Sequence, residues 1–228
     1  VLSNFALHLD TVGGLEWAGD YPYYIEQSLR QSLKSDVVSI FGTGCCGDIN
    51  HVDPTGQPRL KTDFIGNALG ETAVQSLGTL TAIDKPTLQV RRTVVPLPLK
   101  ELSSAEVQHA VQLVTAVSKG EKIDFLDHVA AYRNLMLDNF RHTEPNPNAA
   151  KFLSWGLSRA FQNVGETLPM EVQVITLGSE VAIVTLPGEV FVELGLAIKR
   201  ASPFQTTFVV ELSQSVQTAY IPTRSACV

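Results

Sequence analysis

Met170 to Leu186 reads MEVQVITLGSEVAIVTL, two β-branched apolar runs, Met170 to Thr176 and Glu180 to Leu186, that meet at Gly178-Ser179. Valine, isoleucine and threonine fit a pleated, half-buried surface, and a glycine-serine pair between two such runs predicts a hairpin. Downstream, the pattern predicts a helix over Glu189–Arg200 and a strand over Thr206–Leu212. Upstream, residues 1–8 read as a buried strand. Asp20–Lys34 carries Tyr21, Tyr24, Ile25, Leu29 and Leu33 at helical spacing, and Val37–Phe41 reads as a second strand. Lys61 to Leu77 predicts a helix with Phe64, Ile65, Ala68 and Leu69 facing inward, closed near Gly78. Leu88, Val90 and Val94 alternate along a strand expected to end at Pro96 and Pro98.

Ser103-x-x-Glu106 has the spacing of a capping box, and Val107, Ala110, Val111 and Val114 follow on one helical face. A further helix, Asp124 to Arg141, is expected to bury Phe125, Val129, Tyr132, Met136 and Phe140 and to stop at Pro145 and Pro147. Strands and helices interleave around at least one antiparallel hairpin. The fold class is therefore mixed α/β (α+β), with sheet layers flanked by helices, rather than a doubly wound parallel sheet. Residues 1–228 are read as one domain, in which 99–165 has the pattern of an inserted helical subdomain.

Composition narrows the classes. A chain of 228 residues, 44% hydrophobic and 18% charged, is an ordinary globular chain rather than a disordered or collagenous one. A net charge of −6 disfavours nucleic acid as the main partner. No run of about 18 apolar residues predicts a membrane span. The start VLSNFALHL has no basic region or cleavage site, and with no initiator Met the chain reads as the middle of something longer. Cys45 and Cys46 are adjacent, so neither a disulfide framework nor a C-x-x-C site is expected.

Four places hold polar residues that the local pattern does not require. His8 ends the first strand before the glycine turn Gly13-Gly14, placed either to ligate a metal through its imidazole or to hydrogen-bond locally. The loop Gly42-Thr43-Gly44-Cys45-Cys46-Gly47-Asp48-Ile49-Asn50-His51 runs on to Asp53. Its Asp48, Asn50, His51 and Asp53 either approach a ligand or bond their own backbone. Glu189 of Pro187-Gly188-Glu189 is either a helix-start carboxylate or a metal ligand. Tyr220 follows the last strand and by itself reads as an ordinary surface ring. His109, His128 and His142 read as structural, and no G-x-S-x-G or H-E-x-x-H motif occurs.

In order, NFALHLDTVGG, AGDYP, GTGCCGDINHVD, LPGEVF and AYIPT resemble motifs of the neutral/alkaline (non-lysosomal) ceramidase family, in its N-terminal catalytic domain, across nearly the whole chain. The resemblance implies a zinc site with His8, Glu189 and Tyr220 as ligands. It also implies a second histidine from an upstream H-x-H-S-G-like motif that has no match here. The family's G-D-x-S serine is replaced by Asn50. That residue cannot serve as the same nucleophile but can orient a water or bond a carbonyl, with His51 beside it as acid or base. The implied function is zinc-dependent hydrolysis of an amide in a sphingolipid-like N-acyl substrate, by a protein that is secreted or periplasmic. Alternatives are a non-catalytic lipid- or carbohydrate-binding relative and a metal-dependent hydrolase of another substrate.

Overall fold

The computed structural model describes residues 1–53, 55–84, 86–142, 144, 163–213 and 220–227. In chain order the described elements are β1 (Leu2–Phe5), α1 (Asp20–Leu33), β2 (Ile40–Thr43), α2 (Thr62–Leu77), β3 (Leu88–Pro98), α3 (Ser104–Ser118), α4 (Phe125–Arg141), β4 (Thr167–Leu177), β5 (Val181–Thr185), β6 (Glu189–Val190), α5 (Val192–Ala201), β7 (Thr206–Val210) and β8 (Tyr220–Ile221). The class is mixed α/β. The chain forms two compact units, Val1–Arg92 with Val172–Val228, and Thr93–Glu171. Among the described residues no helix is long and apolar enough to cross a membrane.

The hairpin forms as its sequence predicts. β4 and β5 pair antiparallel with Leu177 opposite Val181, and Gly178 turns the chain at φ +61°. β5 then pairs parallel with β7, β1 with β2, and β6 with β8, so antiparallel and parallel ladders coexist. α1 packs on α2 over a core of Leu7, Tyr21, Ile25, Leu29 and Ile65. The Tyr21 ring meets Phe41 edge to face at 5.4 Å. Each fully buried aliphatic side chain there contributes roughly 1.5–3 kcal/mol. A second cluster, Cys45, Val190 and Val209, gathers Val184, Leu186, Leu194, Ile198 and Ile221 around it.

Several expected details differ. β1 stops at Phe5, so His8 lies beyond the strand rather than at its end. Phe64 and Ala68 of α2 are exposed, and the face turned to α1 is instead Ile65, Gly66, Leu69 and Gly70, because glycines let the helices approach closely. β3 ends at Pro98, as expected, but runs through Pro96 first. It is the edge strand of the order β3-β4-β5-β7, where a missing N–H is tolerated. Glu189 does not open a helix. It belongs to β6, and α5 begins three residues later with Phe191 as its cap.

In the unit Thr93–Glu171, α3 and α4 pack through Leu102, Val107, Ala110, Val114, Ala131 and Leu135. The buried stripe of α4 is Ala131, Leu135 and Phe140, while Phe125, Val129 and Tyr132 are exposed, a rotation of the expected face. Pro145 and Pro147 lie outside the described residues. The capping box is present: the Glu106 N–H donates to Ser103 Oγ at 3.3 Å, and the Ser103 N–H donates to Glu106 Oε2 at 2.8 Å. A hydrogen bond from Lys100, followed by those from Ser103, holds the Glu106 carboxyl down at about 2. Ser103→Ala is expected to cost about 1 kcal/mol in urea denaturation, the usual worth of an N-cap oxygen. His142 bridges Asp138 at 3.0 Å and Glu101 at 3.3 Å, which accounts for that ring structurally, while His128 meets Tyr132 in a tilted contact at 5.0 Å and leaves its buried Nε2 without a hydrogen bond.

Candidate functional site

Every residue of the site lies in the unit that carries α1 and α2. His8 sits in the segment after β1, and the AGDYP motif holds that segment from both sides. The Tyr21 hydroxyl donates to the Leu7 carbonyl at 2.7 Å. The Asp20 carboxylate accepts the N–H of Thr11 at 3.0 Å and of Val12 at 3.1 Å, and the Thr11 hydroxyl at 2.6 Å. Asp20 does this from a left-handed backbone at φ +49°, a strained conformation for a non-glycine residue.

Glu189 and Tyr220 are brought together by pairing in β6–β8, where they stand opposite one another. The Tyr220 hydroxyl donates to the Glu189 carboxylate. Burial first, and then the Glu189 charge, push the phenol above its ordinary range. His8 Nδ1 lies 3.8 Å from Glu189 Oε2, too far for a hydrogen bond. Imidazole nitrogen, carboxylate oxygen and phenol oxygen therefore converge. Zinc bonds of roughly 2.0–2.2 Å to each donor would span the gap between His8 and Glu189. Among the described residues no three His, Cys, Asp or Glu side chains form a group able to hold a metal ion.

Most polar residues of the loop after β2 bond backbone groups. Asn50 Oδ1 accepts the Val52 N–H at 3.0 Å and Asp53 Oδ1 accepts the Thr55 N–H at 2.7 Å, so both carboxamide and carboxylate serve local turns. Asp48 Oδ1 accepts the Val192 N–H at 2.7 Å at the start of α5. His51 is different. Its side chain is 3% exposed, and Asp10 Oδ1 lies 3.0 Å from Nδ1, yet neither ring nitrogen makes an aligned hydrogen bond. A buried polar group left without a partner costs about 1–3 kcal/mol, which a bound ligand can relieve.

Asn50 and His51 border a cavity of about 620 Å³ whose wall is mostly apolar, including Phe5, Leu7, Ile49, Leu60, Phe64 and Leu69. The exposed Phe64 and Ala68 of α2 therefore face a cleft. Asp10 links this cleft to the other cluster, since its charge acts on Tyr220 as well as lying beside His51.

Sequence reasoning singled out His8, Asn50, His51, Glu189 and Tyr220 but missed Glu211, which is 2% exposed just past β7. A glutamate inside the otherwise apolar TTFVVEL run was the available signal. It also missed Asp10, Asp20 and Tyr21, whose roles depend on how the segments meet.

No family model matches the chain, and no curated protein matches it. A search of solved structures finds similarity to the crystal structure of neutral ceramidase from Pseudomonas aeruginosa, at 15% identity and a TM-score of 0.57. The fold is like that of a neutral ceramidase. The match covers 98% of this chain and 38% of the ceramidase chain, so this chain spans well under half of the enzyme's length.

Proposed function

We propose that the chain carries a zinc-dependent, ceramidase-like centre that hydrolyses the amide of an N-acyl lipid. In this reading His8, Glu189 and Tyr220 are the metal donors, and Asn50 and His51 meet the substrate. The observation that carries it is the convergence of His8, Glu189 and Tyr220 on a fold like that of a neutral ceramidase; the apolar cleft is bordered by Asn50, His51 and Leu7, the neighbour of His8 in sequence.

The cleft wall suits an acyl chain, because apolar surface removed from water contributes about 25 cal/mol per Å². A bound zinc ion would supply Lewis acidity to the carbonyl and to water. His51 takes the proton of the water whose oxygen adds to the amide carbon. It then returns that proton to the nitrogen as the C–N bond breaks, so one imidazole balances both steps. Asn50 has its Oδ1 engaged with Val52, which leaves its NH₂ group to donate to the substrate carbonyl. In this reading the Tyr220 hydroxyl also donates to the developing oxyanion.

The test is metal analysis of the full-length protein, followed by a panel of N-acyl amides that includes N-acyl-sphingosine. Near-stoichiometric zinc is expected, and both His8→Ala and Glu189→Ala are expected to lose it. Zinc retained by both variants rejects the site. An engaged Asn50 carbonyl where the ceramidase family has a serine favours a second reading, a lipid-binding relative without turnover, and saturable binding of the panel with no product would establish that instead.

A further inference from the structure

Behind His8 and Glu189 lies a buried pair that the hydrolytic reading does not use. The Cys46 thiol, fully buried, donates to Glu211 Oε1 at 2.9 Å, and Glu211 Oε2 accepts the Val190 N–H at 2.7 Å. The main chain of the same segment is bonded on both sides. The Glu211 N–H donates to the Thr43 carbonyl at 2.9 Å, and the Leu212 N–H donates to the Gly188 carbonyl at 3.1 Å. One carboxylate thus ties together the loop after β2, the strand that carries Glu189, and the end of β7.

The pair adjoins both expected metal donors. Cys46 Sγ lies 3.9 Å from His8 Nδ1, so the thiol forms a wall against that ring. Val190, whose N–H the carboxylate receives, follows Glu189 directly in β6. A two-residue strand has too few ladder bonds to fix a side chain by itself, and the Glu211 bond supplies a further restraint one residue from the ligand. Burying a carboxylate carries a large desolvation cost, and a carboxylate with both oxygens occupied is a fixed support rather than a mobile one.

We propose that Glu211 and Cys46 are positioning residues that hold His8 and Glu189 in donor geometry for a divalent metal ion, an inference that rests on the metal centre of the proposed function. Neither residue ligates the ion or touches the substrate. The thiol donates to Glu211, and both carboxylate oxygens are taken up by Cys46 and the Val190 N–H.

The experiment is competition for Zn²⁺ between a chromophoric chelator and metal-stripped full-length protein, with circular dichroism melts establishing that each variant is folded. Glu211→Ala and Cys46→Ala are expected to bind zinc about 10- to 100-fold more weakly, as for other groups that orient a ligand, and Glu211→Gln about tenfold more weakly. Cys46→Ser is expected to bind as the parent does, because its hydroxyl can donate to the same oxygen. If the alanine variants do not fold, Glu211→Gln decides: parental affinity there overturns the inference, as does parental affinity in folded alanine variants. A thiolate-to-cobalt charge-transfer band in the Co²⁺-loaded parent, absent in Cys46→Ser, also overturns it by making Cys46 a ligand. A parent that binds no zinc rejects the proposed metal centre itself, and this inference with it.

Discussion

Gly47→Ala is expected to lower kcat/KM on whichever N-acyl amide the parent cleaves by about 100-fold, the cost of displacing a reacting group by about 1 Å. A Cβ on residue 47 would meet the Glu189 carbonyl oxygen at 2.6 Å, its carbonyl carbon at 3.0 Å and Phe191 Cδ1 at 3.1 Å. Two of these atoms are backbone and cannot swing aside. Gly47 also donates its N–H to the Val190 carbonyl at 3.0 Å, so loop and strand are bonded where the methyl would intrude. Accommodation must separate the loop from β6, and Glu189 moves with the strand. Overpacking of this kind costs about 1–3 kcal/mol in stability, so a folded but impaired enzyme is expected. Steady-state kinetics with zinc quantified in the same sample would test this, and kcat/KM within about threefold of the parent would count against the close approach.

Gly66→Ala is expected to destabilise the protein by about 2–4 kcal/mol in equilibrium urea denaturation, the combined scale of overpacking and lost core contacts. The sign is what makes the test informative. In an exposed helix interior the same change would stabilise by roughly 0.5–1 kcal/mol, because alanine loses less backbone entropy than glycine. Here a Cβ would lie 2.4 Å from the Tyr21 carbonyl oxygen and 2.5 Å from Tyr24 Cβ, so α1 and α2 must move apart. The helices then lose packing among Ile25, Leu29 and Ile65. Against a total stability of about 5–15 kcal/mol for a typical domain, that loss leaves little margin. A stabilised or neutral variant would mean that the helices already have room. The change also bears on the site, since Tyr21, against which the new methyl would press, holds the segment that carries His8.

The elements that were legible in the sequence are those decided by local chemistry. The hairpin at Gly178, the capping box at Ser103 and the amphipathic α1 depend on residues a few positions apart, and each forms as its pattern predicts. Elements decided by distant contacts were not legible. Glu189 reads as a helix start because Val190, Leu194 and Ile198 continue a helical spacing, and only pairing with Tyr220 makes it a strand. α4 is apolar on more than one face, so its own period does not select Ala131 and Leu135 over Val129 and Tyr132. On α2 the spacing correctly puts Ile65 and Leu69 inward but also includes Phe64 and Ala68, because glycines rather than the largest apolar residues mark the contact.

The site shows the same division. His8, Glu189 and Tyr220 were visible through short motifs, and the structure brings them into one cluster. The supports were not visible as supports. Asp20, Tyr21, Cys46 and Glu211 act through hydrogen bonds to segments far off in sequence, and no local period encodes such bonds. Asn50 and His51 were noticed as polar crowding, but the apolar cleft beside them draws on β1, α2 and the loop together.

The pairing of β6 with β8 joins residue 189 to residue 220, and His8 comes from the other end of the chain. The three expected donors therefore stand far apart along the sequence, at residues 8, 189 and 220. No stretch of chain shorter than that whole span contains all of them. If the proposed centre holds a metal ion through all three, the set is complete only once β8 has been made, and such an ion could not guide the folding of the segments before it.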